Sequence, residues 1–236
     1  FRSMEEETDS GKSLHQGSQD VIIYLSRMML AVTVHESAHG YVAKINGDDT
    51  ARRAGRLTLN PIAHISLMGS IVLPLLLLFV GAPFLFGWAK PVPVNPNYFK
   101  DYKKGLRQMA FAGPGSNLLM MFIWAFLMVL FSILSIRFGR YLFFSFMIEM
   151  AQFGIGINAV LAVFNLLPIP PLDGSRIVNS FLSDELSHRY LQLEPYGFII
   201  VLVLMYCGFF SLLSPIIAGL TGFAVTLSNF IFQLFM

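Results

Sequence analysis

Two histidines and a glutamate stand in the stretch "TVHESAHGYV", residues 33–42, within an otherwise largely apolar run. His35 and His39 are four positions apart, so on a helix they share one face and can bind one metal ion. Glu36 follows the first histidine, close enough to take a proton from a metal-bound water. Burying such groups in hydrocarbon is costly unless they are paired or bind a metal. The pattern therefore indicates a zinc centre of the H-E-x-x-H type; the alternative is a pair of histidines at a helix interface.

A tetrahedral zinc site needs at least a third protein ligand. The candidates are His64, Asp173, Glu149, His15 and His188. Asp173 lies in "FNLLPIPPLDGSR", where three prolines break a helix and a glycine permits a turn. Such a broken helix can aim a carboxylate into a cavity, whereas the alternative is an aspartate that only caps the next helix.

The composition indicates a membrane protein that must position these groups. Hydrophobic residues make up 55% of the 236 residues and charged residues 13%, against about 25% charged in a soluble domain. We therefore predict an all-α polytopic membrane protein, with transmembrane helices around the zinc site. The net charge of +2 gives no reason to expect nucleic-acid binding. The single cysteine, Cys207, excludes an internal disulfide and a cysteine metal site.

Six apolar segments are predicted, at about residues 21–45, 67–86, 110–136, 141–167, 196–213 and 215–236. Basic residues flank the second segment on both sides, and the positive-inside rule places both flanks in the cytosol. Pro74, Gly81 and Pro83 also disfavour a straight helix there. We therefore predict that residues 67–86 form a re-entrant hairpin or bent helix that enters and leaves on one side.

This topology decides between the candidates for the third ligand. The first helix then runs from outside to inside, which leaves His35 about 9 Å from the cytosolic face of a core roughly 30 Å thick. Asp173 reaches the same side after two further crossings. Had residues 67–86 crossed the membrane, Asp173 and His35 would lie on opposite sides. Asp173 is therefore the favoured third ligand.

Residues 1–20 are predicted to be a disordered polar tail that lies outside the cell, in which "FRS" before Met4 is a cloning remnant. Residues 21–236 are predicted to form a single membrane-embedded domain.

With these residues assigned, the chain resembles the site-2 proteases, which are intramembrane zinc metallopeptidases. The resemblance rests on "HESAHG", "AGPGSN" and "NLLPIPPLDG", with "GRLTLNP" and "GWAKPVPVNP" resembling the short bacterial branch that lacks a PDZ or nucleotide-sensing module. It implies that His35, His39 and Asp173 bind one zinc ion per chain and that Glu36 is the catalytic base. It also matches Asn165 and Asn117 to asparagines in the family's motifs.

Two asparagines and two extended segments leave alternatives open. Asn165 is a candidate donor to the oxyanion, or else it caps the broken helix. Asn117, expected near the start of its helix, either contacts substrate or packs and orients. The segments "RLTLN" and "KPVPVNPNY" are either surface loops or an edge strand that captures an unwound substrate.

The predicted function is hydrolysis of peptide bonds within or near transmembrane segments. The expected partners are membrane-protein or signal-peptide-remnant substrates and the lipid bilayer, with no nucleic acid. The expected location is the bacterial cell membrane, with the active site towards the cytosol. The alternatives are a metal or proton transporter, for which an internal repeat is expected and none is found, and a non-catalytic scaffold that keeps a structural zinc.

Overall fold

The computed structural model describes residues 28–81, 87–139 and 141–235, and residues 28–45 form helix α1. The later helices are α2 (Thr50–Arg53), α3 (Leu73–Phe79), α4 (Tyr102–Phe138), α5 (Leu142–Asn165), α6 (Asp173–Asn179), α7 (Asp184–Leu191), α8 (Glu194–Tyr206) and α9 (Phe209–Phe235). Short 3-10 turns span Pro61–His64 and Pro96–Tyr98, and a π-helical segment spans Leu67–Val72. No strand occurs in these described ranges, which confirms the predicted all-α class. The predicted tail and residues 21–27 lie outside the described residues.

Three of the described helices are long and apolar enough to cross a membrane: Tyr102–Phe138, Leu142–Asn165 and Ser211–Leu234. They pack against one another through a buried cluster with a high content of alanine, formed by Met121, Ala125, Ile155, Ala159 and Ala224. Small side chains let helix backbones approach closely, which favours association in a bilayer where burial of apolar surface gives no driving force. These helices form the core that holds the site.

Helix α4 begins earlier than the sequence pattern predicted. Its first residue is Tyr102, and the side chain of Asp101 caps it by accepting a hydrogen bond from the Lys104 N–H at 2.9 Å. Leu106 and Met109 in its first turns pack against Ala43 of α1, so the polar stretch before residue 110 is part of the helix. Asn117 therefore lies well inside α4 rather than near its start.

The described residues on either side of 82–86 fold back towards each other after Pro61–His64. The π-helical segment runs into α3, and the returning chain meets its start: the Trp88 N–H donates to Gly69 O at 3.2 Å, and the Lys90 N–H donates to His64 O at 2.9 Å. Gly69 is required here, because a Cβ would overlap the Trp88 ring. The apolar helical stretch Leu67–Phe79 spans about 20 Å, less than the roughly 30 Å of a hydrocarbon core.

The two flanks of the hairpin lie at the same end of the molecule. The Arg56 guanidinium donates to Lys90 O at 2.8 Å, and the Lys100 N–H donates to Asn46 O at 2.9 Å. Both basic clusters identified in the sequence therefore share one end.

Neither predicted extended segment forms a strand in the described residues. Residues 56–60 and 87–95 are irregular, and Pro91 and Pro93 each lack the N–H that a ladder requires. The edge-strand alternative is not formed.

The boundary between the last two helices differs from the prediction, which placed it between residues 213 and 215. Helix α8 ends at Tyr206 and α9 begins at Phe209, so the chain turns at Gly208, whose φ is +78°, and Pro215 lies inside α9. A positive φ is readily adopted by glycine, which explains why the turn is here rather than at the proline.

Candidate metal centre

Helix α1 presents its two histidines on one buried face. The side chains of His35 and His39 are one helical turn apart, and both residues are 7% exposed. Their Nε2 atoms lie 3.0 Å apart, with the two rings nearly perpendicular at 85°. Both imidazoles thus direct the same nitrogen to a single point.

Asp173 lies opposite this pair, at the first residue of α6. Its Oδ2 is 3.2 Å from the Nε2 atom of His35 and 3.2 Å from that of His39. The carboxylate caps no helix, so the capping alternative is not realised. Two close backbone contacts hold this position, because a Cβ on Gly174 would overlap Leu166 O and a Cβ on Gly197 would overlap Pro170 O.

The three ligand atoms fit a zinc ion. They form a triangle with sides of 3.0, 3.2 and 3.2 Å, close to the roughly 3.3 Å between ligands of a tetrahedral zinc with bonds of about 2.0–2.1 Å. Gly113 of α4 faces this triangle, and a Cβ there would overlap both imidazoles. Any side chain at position 113 would therefore intrude on the point where the two Nε2 atoms converge.

The opposite nitrogens of both imidazoles are held by hydrogen bonds. The Nδ1 of His39 lies 2.7 Å from Met109 O, and the Nδ1 of His35 lies 2.6 Å from Asn117 Oδ1. A backbone carbonyl can only accept, so the Nδ1 of His39 donates, and its Nε2 keeps a lone pair for a metal. Such outer partners orient metal-binding histidines.

Glu36 is partly buried, and its carboxylate is anchored by the segment 87–95. The Val92 N–H donates to Glu36 Oε2 at 2.9 Å, and the Val92 side chain is itself buried. A Cβ on Gly40, one turn further along α1, would crowd Leu57 and Val92. The segment therefore packs directly on the helix that carries the metal-binding motif.

The two asparagines from the sequence motifs lie in different surroundings. Asn117 is fully buried behind His35, where it orients the imidazole and is enclosed by protein. This contact is the one that the orienting alternative of the sequence interpretation requires. Asn165 is at the end of α5 and donates from Nδ2 to Leu161 O at 2.9 Å, a contact within its own helix.

The other candidate ligands lie apart from this cluster. His64 is buried, and its Nε2 lies 2.9 Å from Thr58 O. Glu149 is exposed on α5, and His188 is on α7. His15 lies outside the described residues. Among the residues that the structure describes, the metal-ligand geometry unites only His35, His39 and Asp173.

Three contributors were not identified from the sequence: the carbonyl of Met109, the missing side chain of Gly113, and Asn158, which hydrogen-bonds to Asn117. The polar Asn158 within an apolar helix was a signal that sequence reasoning could have used.

Comparison with known proteins agrees with this geometry. The profile described as "Peptidase family M50" matches residues 65–208, a range that includes Asn117 and Asp173 and begins after the H-E-x-x-H motif. The chain is 43% identical over 180 residues to "Putative zinc metalloprotease YwhC" of Bacillus subtilis. The aligned region covers 75% of this chain and 77% of that protein.

Two further relatives carry similar names. The identity is 29% over 184 residues to "Putative zinc metalloprotease Rip2" of Mycolicibacterium smegmatis, covering 78% of this chain and 66% of the relative. The identity is 34% over 104 residues to "Putative zinc metalloprotease MJ0611" of Methanocaldococcus jannaschii. That match covers 44% of this chain and 47% of the relative. No solved structure matches the chain significantly. The profile match and the identity to the Bacillus protein together show that the chain belongs to peptidase family M50, the site-2 protease family of zinc metalloproteases.

Proposed function

We propose that this integral membrane protein hydrolyses peptide bonds within or near the transmembrane segments of other membrane proteins. His35, His39 and Asp173 would hold one zinc ion, and Glu36 would act as the catalytic base. The observation that carries the proposal is the position of the buried ligand triangle between α1 and α6, against the long apolar helix α4. A soluble peptide does not require a site in these surroundings.

The residues around the triangle account for the proposed chemistry. A zinc ion supplies Lewis-acid polarisation of a carbonyl and acidifies water. Glu36 takes a proton from the attacking water and delivers it to the leaving amine. Asn165 is the proposed amide donor to the developing oxyanion, in addition to its bond to Leu161 O. Among the described residues only three would hold the ion, one fewer than the four protein ligands of a closed structural site.

The position of the site along α4 supports an active site near the cytosol. Its partners Met109 and Asn117 are about 10 and 22 Å from the start of the helix at 1.5 Å per residue. That end carries Lys103, Lys104 and Arg107, and the basic flanks of the hairpin lie there too. By the positive-inside rule this end faces the cytosol. The protein would then lie in a bacterial cell membrane with its N-terminus outside.

The segment 87–95 is the proposed neighbour of the substrate. Its Val92 N–H binds the carboxylate of the proposed base, so a substrate carbonyl within reach of Glu36 passes close to this backbone. The substrate helix has to unwind there, because its amides are otherwise hydrogen-bonded within the helix. Substrates are single-span membrane proteins or remnants of signal peptides.

The test is cleavage by purified protein in proteoliposomes that contain a panel of single-span membrane proteins, with the products identified by mass spectrometry. Wild-type protein loaded with zinc should yield products cut within or beside the transmembrane segment, and Glu36→Gln should yield none. Identical product profiles from the two proteins would overturn the proposal. Zinc accumulation inside the vesicles, with no cleavage, would identify a transporter instead.

A further inference from the structure

We infer that Asn158 of α5 is a positioning residue for the metal centre. It fixes the orientation of the Asn117 amide and, through it, the nitrogen that His35 presents to the metal. The inference rests on the proposed zinc-binding role of His35. Asn158 is 1% exposed and belongs to neither the ligand set nor the motifs that identified the site.

The orientation of this chain of side chains is set by a backbone carbonyl. The Nδ2 of Asn158 donates to Gly154 O, four residues earlier in α5, at 2.8 Å. A carbonyl oxygen can only accept, so the amide nitrogen of Asn158 must face it. The Oδ1 of Asn158 therefore faces the opposite way, towards Asn117.

The same reasoning then fixes the next two groups. Asn117 Nδ2 donates to Asn158 Oδ1 at 2.9 Å and approaches Ala31 O at 3.4 Å. This leaves Asn117 Oδ1 directed at the Nδ1 of His35, 2.6 Å away. Since that oxygen is an acceptor, the Nδ1 of His35 must carry the proton, and its Nε2 keeps the lone pair that a metal requires.

Without the acceptor on Asn158, the Asn117 amide loses the stronger of these two restraints. A rotated amide would present its NH2 group to the Nδ1 of His35 and favour the tautomer with the proton on Nε2. The Nε2 atom would then have no lone pair for a metal at the triangle. Asn117 is 0% exposed, so bulk solvent does not reach it to replace the lost acceptor. His39 does not depend on such a relay, since its Nδ1 donates directly to the backbone of Met109.

The first test is the zinc affinity of Asn158→Leu, which keeps the number of side-chain heavy atoms and the branch at Cγ but removes the acceptor. Competition with a chelator should show a loss of about 10–100-fold relative to the wild type, as for other outer-shell partners. The matched control is Ile155→Ala, which opens a cavity on the same helix in the apolar α4–α5–α9 core and should leave zinc affinity unchanged. An equal loss in the control would mean that any loosening of this packing weakens the site, which overturns the inference.

The second test is a double-mutant cycle with Asn117→Asp. A carboxylate accepts from the Nδ1 of His35 whichever way it is turned, so it does not need Asn158 to orient it. Its other oxygen would face Asn158 Oδ1, and two acceptors repel each other. In this background Asn158→Leu should therefore cause no further loss of zinc affinity, or should restore part of it. The same loss in both backgrounds would show that Asn158 acts only through packing.

Zinc affinity, rather than cleavage, is the readout in both tests. A wild-type protein that binds zinc but cleaves no substrate would overturn the proposed protease and leave the result for Asn158 standing. A wild-type protein that binds no zinc would overturn both. Unchanged affinity of Asn158→Leu would overturn the inference alone.

Discussion

Glu36 and Val92 are joined across 56 residues of sequence by a hydrogen bond of 2.9 Å from the Val92 N–H to Glu36 Oε2. The bond ties the segment 87–95 to α1, within the motif that carries the metal-binding histidines. It leaves the second carboxylate oxygen of Glu36 free of this contact. The carboxylate therefore has a structural role for one oxygen and remains available for proton transfer through the other.

Glu36→Gln separates these two roles. The glutamine carbonyl can still accept from the Val92 N–H, but the side chain cannot take a proton, so cleavage should fall at least about 100-fold while zinc content stays at the wild-type value. Cleavage assays and metal analysis on one preparation measure both. Appreciable proteolysis by this variant would remove Glu36 from the mechanism.

Asp173→Ala should release zinc, because two imidazoles alone leave the ligand shell incomplete. We expect a loss of affinity greater than the roughly 10–100-fold that an outer-shell change causes. His64→Gln is the control, because His64 lies apart from the triangle and bonds to Thr58 O. Full zinc binding by Asp173→Ala, together with loss in His64→Gln, would assign the third ligand to His64.

Gly113→Ala should abolish zinc binding without unfolding the protein. The added methyl group would overlap the imidazoles of His35 and His39, where the metal is proposed to lie. Gly156→Ala in α5 is the matched control, since a Cβ there meets nothing within 4 Å, and it should bind zinc normally. Thermal unfolding in detergent monitors the fold. Normal zinc affinity in Gly113→Ala would place the metal elsewhere.

The hairpin should enter and leave the membrane on the cytosolic side. In a Cys207→Ser background, single cysteines at the exposed positions Arg53 and Lys104 should both react with an impermeant thiol reagent from the cytosolic side. A cysteine at Arg137, at the far end of the 37-residue helix α4, should react only from the opposite side. Labelling of positions 53 and 104 from different sides would mean that the chain crosses the membrane between them.

The sequence by itself determined the parts of the site that depend on local spacing. His35, Glu36 and His39 share a helix, so the helical repeat alone places both imidazoles on one face. The prolines before Asp173 predict a broken helix, and the basic residues on both sides of the hairpin predict a shared side of the membrane. Both predictions need only a few neighbouring positions. Length and hydrophobicity also predicted the three described helices that are long and apolar enough to cross a membrane, although the predicted segment 196–213 holds a helix of only 13 residues, α8.

Only the tertiary structure decided what surrounds these ligands. The contacts of His35 with Asn117, of His39 with Met109 O and of Glu36 with Val92 join positions 82, 70 and 56 residues apart. They depend on how each helix is rotated and how far it is shifted along its neighbours. In a helix that is apolar on every side, the hydrophobic pattern does not define which face points inward. The rotation of α4 and α5 is set instead by close packing of small residues. That packing brings Gly113 and Asn117 against the metal-binding motif and places Asn158 beside Asn117.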